Sequence, residues 1–351
     1  MSRCCVNCFK DSHIRETIIK NGLIGDCDFC SSKGVYVYDI SETSNLIHDM
    51  VSSLVQIYCV SDNNSAKLLK ESLRDDWDIF TGGSEAIQAL VKELCYNDIE
   101  NNEIFSHKVI IPKTLDKDFI NDFGVVKGLS WKEFSDSIKY SNRFHINNFN
   151  SDAFASFLSM VAKRFDENTY FFRARIATDK TGFSCGEMYG PPPGKRCAGR
   201  VNPEGIGVIY LSLDEHTVLN EIRANIYDYV TIGKFKTKKS IRVVNLSEIS
   251  HISPFIFFDE IERFAVNRSI FQEMSLEIAK PLRRNDSSLE YLPTQFISEY
   301  VKSQGYDGVE YKSTLRDGGS NLALFDESLV ECVDVRTVEV TSVNYDISEQ
   351  I

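Results

Sequence analysis

The sequence predicts an α+β protein: a mixed-sheet domain over residues 151–351, preceded by a small zinc-binding segment over 1–34 and a mainly helical domain over 35–150. Three observations predict it. Two Cys-x2-Cys pairs fall in the first 34 residues, a stretch too short to fold on an apolar core alone. Apolar residues then recur at helical spacing. Beyond a polar, Asn- and Ser-rich stretch at 140–152, where the main boundary is expected, short strand-like runs alternate with isolated helices, which is not a βαβ series.

Each element follows from its pattern. Ile47, Met50, Val51, Leu54 and Tyr58 lie on one face of a helix starting near Ser44, and Ile87, Leu90, Val91 and Leu94 on one after Ser84. Phe154, Phe157, Leu158, Val161 and Phe165 mark a third helix. Residues 170–176 read as a strand, and the Gly- and Pro-rich span 177–207 as an ordered or functional loop. Residues 208–211 read as a buried strand, and Ser212 to Glu215 as a capping box opening a helix through about Tyr227. Strands are expected at 241–246, 309–311, 322–325 and 333–343, with a helix at 294–302.

Charge limits the function. With 39 Lys and Arg against 51 Asp and Glu, the net charge is −12, which excludes broad electrostatic binding of nucleic acid. The N-terminus has no apolar signal region and no stretch is long enough for a membrane span, so a cytoplasmic protein is expected. Ten cysteines in such a chain point to thiols or metal ligands rather than disulfides. The pairs Cys5-x2-Cys8 and Cys27-x2-Cys30 are separated by 18 residues, a spacing that can present four thiolates to a structural Zn2+ ion. Cys4 is an alternative ligand to Cys5.

One segment breaks the acidic balance. From Arg173 to Arg200 six basic residues face only Asp179 and Glu187, a local excess of four, around the glycine-flanked Pro191-Pro192-Pro193. Rigid backbone with guanidinium forks suits a diphosphate. Arg173 also lies inside an apolar strand, where a charge is costly without a partner.

The order of the blocks resembles the RES domain family, named for Arg, Glu and Ser. Carrying the resemblance are Arg173 in Phe171-Phe172-Arg173-Ala174-Arg175, the block Ala198 to Gly205, Tyr210 with Glu221 eleven residues on, Leu292-Pro293-Thr294-Gln295, Gly305 to Ser313, and Asn321 to Phe325. The front of the chain is similar to the HEPN-like, cysteine-knuckle region found on some RES proteins. The resemblance implies a fold related to ADP-ribosyltransferases and cleavage of NAD+ by hydrolysis or phosphorolysis, as in toxins that deplete cellular NAD+. It makes Arg173, Glu221 and Ser313 catalytic, and Arg200, Asn202, Tyr210 and Asn321 ligand-binding. NAD+ is then substrate; inorganic phosphate is a candidate co-substrate, a separate antitoxin a candidate partner, and an oligomer is open. Two departures from the family pattern are Val201, where an aromatic residue is common, and the long insertion between Ile176 and Gly199. Alternatives are ADP-ribosyl transfer to a macromolecule, or a zinc-knuckle protein that binds a nucleotide without turnover. A HEPN ribonuclease is not expected, because Arg143 and His145 are too close for its Arg–His pair.

Overall fold

The computed structural model describes residues 2–41, 46–95, 102–192, 194–257, 260–281 and 286–343. Ser44, the expected start of the first helix, and Pro193 lie outside them. The chain divides into two compact units, residues 1–128 with 251–270, and residues 129–250 with 271–351.

In the first unit, strands Arg3–Cys5, Leu23–Gly25 and Val35–Asp39 form a small antiparallel sheet with the last in the middle. The cysteine-rich element therefore runs past residue 34, because its central strand follows it. Helices Leu46–Gln56, Leu69–Trp77 and Ser84–Cys95 follow; the first and third bury the expected apolar faces, except that Tyr58 lies past the end of the first, and the second is not among the expected helices.

The second unit holds an eight-stranded mixed sheet. Its strands, β1 to β8 in chain order, are Ala162–Phe165, Tyr170–Ala177, Ile209–Ser212, Tyr229–Thr237, Ile241–Asn245, Gly308–Lys312, Ser320–Leu324 and Val330–Glu339. They lie in the order β8-β4-β2-β3-β7-β6-β5-β1, and β5 and β6 run parallel. Phe165, Phe171, Ile209, Phe235, Val243 and Leu324 build one core of this unit. Ala174, Val218, Val230 and Ile232 build a second beneath helix Glu215–Glu221.

Several expectations change. Helix Trp131–Tyr140, opened by a capping box of Ser130 and Glu133, belongs to the second unit, so the expected boundary at 140–152 falls inside that unit. There its Phe134 meets Phe149 and Phe296 edge or face on. Ser212 ends β3, its hydroxyl donating to the Ser320 carbonyl, and the helix cap is Asp214, which accepts from the Thr217 amide at 3.0 Å. That helix stops at Glu221 instead of Tyr227, because Arg223 takes a left-handed backbone conformation. The third helix ends at Met160, and Phe165 lies in β1.

The sheet has one weak joint. Strands β4 and β2 share eight register pairs, whereas β2 and β3 share only Phe172 with Ser212. Beyond that pair the two strands splay apart. The candidate site lies there.

Candidate active site

Arg173, on β2, bridges the splay: its Nη1 donates to the Tyr210 carbonyl of β3 at 3.1 Å. Its Nε is sealed from water and has no hydrogen-bond partner. Burial, reinforced by the neighbouring charge of Arg175, holds the guanidinium down at about 10. A guanidinium in that state can take an anion as its counter-charge.

Glu221 ends its helix, where the dipole disfavours a carboxylate. Two side chains compensate. The Ser313 hydroxyl donates to Glu221 Oε1 at 2.6 Å, and the Asn321 amide donates to the same oxygen at 2.8 Å. Ser313 is itself fixed by its own amide, which donates to the Gly319 carbonyl at 2.9 Å across the Gly318-Gly319 turn. Ser313 and Asn321 are both buried, so the carboxylate is clamped on one oxygen.

Arg173, Arg200, Tyr210, Glu221 and Asn321 line one cleft of about 320 Å³, closed by Ala174, Leu211, Val218 and the rings of Tyr291 and Tyr311. Five residues expected from separate blocks thus converge, and Ser313 acts through Glu221. Arg200 is buried, donating to the Ala279 carbonyl at 3.1 Å with its guanidinium 5.1 Å over Tyr311. Burial raises the Tyr210 hydroxyl to about 12, so it stays protonated, and it donates to Asn202 Oδ1 at 2.7 Å.

Asn202, expected to touch the ligand, does not line the cleft. Its amide donates to the carbonyls of Cys197, Pro203 and Ile206, bracing the loop behind Tyr210. Gln295 completes the brace by donating to the Gly199 and Asn202 carbonyls at 2.8 and 3.0 Å. Gly199 is required there: a Cβ would stand 2.4 Å from the Tyr210 hydroxyl.

The basic segment also divides differently from expectation. Only Arg173 and Arg200 reach the cleft. Arg175 donates to the Glu187 carbonyl, and Arg196 pairs with Glu327 at 3.2 Å. These two hold the inserted loop itself. Tyr291 and Tyr311 were not foreseen, since a tyrosine in an apolar strand or before a helix reads as core.

A second constellation lies in the first unit. The sulfurs of Cys5, Cys8, Cys27 and Cys30 all fall within 4.8 Å of one another, and Cys4 is not among them. Cys5 to Cys30 measures 3.3 Å, Cys8 to Cys27 3.5 Å and Cys5 to Cys8 3.8 Å. A tetrahedron with Zn–S bonds of ~2.3 Å has edges of about 3.8 Å, so the four thiols fit the ion. The Phe29 amide points at Cys27 Sγ at 3.4 Å, as a metal knuckle requires.

Among the described residues, no helix is long and apolar enough to cross a membrane. No curated protein matches the chain. Among solved structures, it is similar to a chain of the M. tuberculosis MbcT-MbcA toxin-antitoxin complex, at 14% identity and a TM-score of 0.30, over 53% of this chain and 91% of that one. The family model of the RES domain matches residues 172–347, about half the chain and a span containing every residue that lines the cleft. By that match the protein belongs to the RES domain family.

Proposed function

We propose that the protein cleaves the nicotinamide–ribose bond of NAD+ and acts as a toxin or defence effector that depletes it. The observation that supports this reading is the clamped carboxylate of Glu221 in a cleft that also holds Arg173 and the buried Arg200. The bond between ribose C1′ and the pyridinium nitrogen breaks with both electrons going to nitrogen, so neutral nicotinamide leaves. Positive charge develops on the ribose. Glu221, with Oε1 fixed by Ser313 and Asn321, stabilises that charge through Oε2 without having to reorganise. Arg173 and Arg200 hold the diphosphate, and the rings of Tyr210 and Tyr311 wall the nicotinamide end from water. Water attacking C1′ gives ADP-ribose and a proton; inorganic phosphate gives the ADP-ribose phosphate ester. A separate antitoxin would silence the enzyme by covering the cleft. In the first unit Cys5, Cys8, Cys27 and Cys30 would hold Zn2+, which with four protein ligands has no open position and serves the fold.

The test is nicotinamide release from NAD+ by the full chain, in buffers with and without phosphate. Glu221→Gln keeps the size of the side chain and its bond from Ser313, and should cost about 10²–10³-fold in turnover with the melting curve unchanged. Wild-type turnover in Glu221→Gln refutes the assigned role. No release by the wild type in either buffer refutes the activity, and label moved onto a macromolecule redirects it to ADP-ribosyl transfer.

A further inference from the structure

The cleft is at the small end of ligand pockets, which span roughly 300–1,000 Å³, and a dinucleotide needs more room than one end of that range gives. A second cavity of about 450 Å³ adjoins it. Tyr291 lines both. Thr294, in the second cavity, donates to the carbonyl of Arg200, in the first, at 2.6 Å. The far wall is helix Trp131–Tyr140, which precedes the residues matched by the RES domain.

The second cavity carries its own unsatisfied chemistry. Ser135 is 3% exposed, lines the cavity, and its hydroxyl has no hydrogen-bond partner. An orphaned buried hydroxyl costs stability unless something completes it. Five lining carboxylates outnumber three lysines, so a phosphate is disfavoured here while a ligand rich in donors is favoured. Glu277 and Glu290 are acceptors suited to a ribose diol or an exocyclic amine, and Lys139, with its side chain 9% exposed, is tied to Glu290 at 2.7 Å. Tyr291 offers a ring to a base.

We infer that this cavity, walled by Trp131, Ser135, Glu277 and Tyr291, is the adenosine subsite of the substrate, supplied by a helix outside the RES match. The inference rests on the NAD+ reading. It assigns the neutral, donor-rich half of the dinucleotide to the acidic cavity and the diphosphate to Arg200 at the passage between the two.

Adenosine itself is the probe. It should bind the full chain in calorimetry, compete with NAD+ in the nicotinamide-release assay, and bind Glu221→Gln equally well. Ser135→Leu fills the cavity, and Leu276→Trp covers its mouth from a position 72% exposed, where folding is not at risk. Each should weaken adenosine at least tenfold and lower kcat/KM for NAD+ by a similar factor, with melting of Leu276→Trp unchanged. Adenosine binding that is absent up to about 10 mM, or that survives both variants, overturns the subsite. If the wild type binds adenosine through Ser135 and Leu276 yet releases no nicotinamide, the subsite stands and the NAD+ reaction falls.

Discussion

Replacing Arg173 by methionine should stabilise the protein while abolishing its activity. The guanidinium is held at about 10, well below the ordinary arginine range, and 1.36 kcal/mol per decade makes that about 3 kcal/mol of penalty on the folded state. Methionine keeps the apolar stem but forfeits the 3.1 Å bond to the Tyr210 carbonyl, worth about 1.5–2 kcal/mol. The balance is a gain of about 1–2 kcal/mol, or about 3–6 °C in the melting temperature of the second unit. The sign with pH follows from the lowered folded value. Below 10 both states are protonated and the penalty is complete. Above about 10 the folded state gives up its proton first, so wild-type stability recovers and the gap to the variant narrows. Calorimetry from pH 6 to 9 should therefore show a constant advantage for Arg173→Met, with nicotinamide release lost and no stabilisation by added diphosphate. A variant that melts below the wild type at pH 7 would refute the argument that this arginine is an uncompensated charge kept for its ligand.

Two further predictions concern the scaffold. Purified protein should carry one equivalent of zinc by metal analysis, and Cys27→Ser should lose it together with about 10 °C of the first unit's melting temperature, the worth of about 3 kcal/mol in a unit of that size; a full equivalent in Cys27→Ser means the four-thiolate site is wrong. Gly199→Ala forces a methyl to 2.4 Å from the Tyr210 hydroxyl and 2.5 Å from Asn202 Oδ1, which should cost about 1–3 kcal/mol and speed tryptic cleavage at Lys195 and Arg196. Unchanged cleavage would show that Asn202 does not brace the loop.

Much of the fold was legible where one physical signal dominated. The apolar runs of β2 and β6 and the faces of helices Leu46–Gln56 and Ser84–Cys95 announce themselves by period. Strand β4 is hidden in the sequence because Gly233, Lys234 and Lys236 interrupt its apolar pattern, and because the helical signal from Asp214 leaves no visible stop before it. Helix Trp131–Tyr140 did carry a readable signal, the Ser130 to Glu133 capping box. In the site, Arg173 stood out as a charge in an apolar strand, and Glu221 and Ser313 through the order of the blocks. The pairing of Glu221 with Ser313 and Asn321 joins residues 92 and 100 positions apart, which no local pattern encodes. Asn202 misled because an asparagine beside an arginine in a glycine-rich block looks the same whether it faces a ligand or its own backbone.

The single register pair between β2 and β3 also bears on how force and motion pass through the second unit. Three strands, β8, β4 and β2, form one raft, and five, from β3 to β1, form another. The rafts are riveted at one point and pinned by one arginine. A ligand that engages Arg173 on one raft and Asn321 on the other acts as a crossbar between them. Amide exchange at the facing edges of β2 and β3 should thus slow when the cleft fills, which makes the seam a built-in reporter of occupancy.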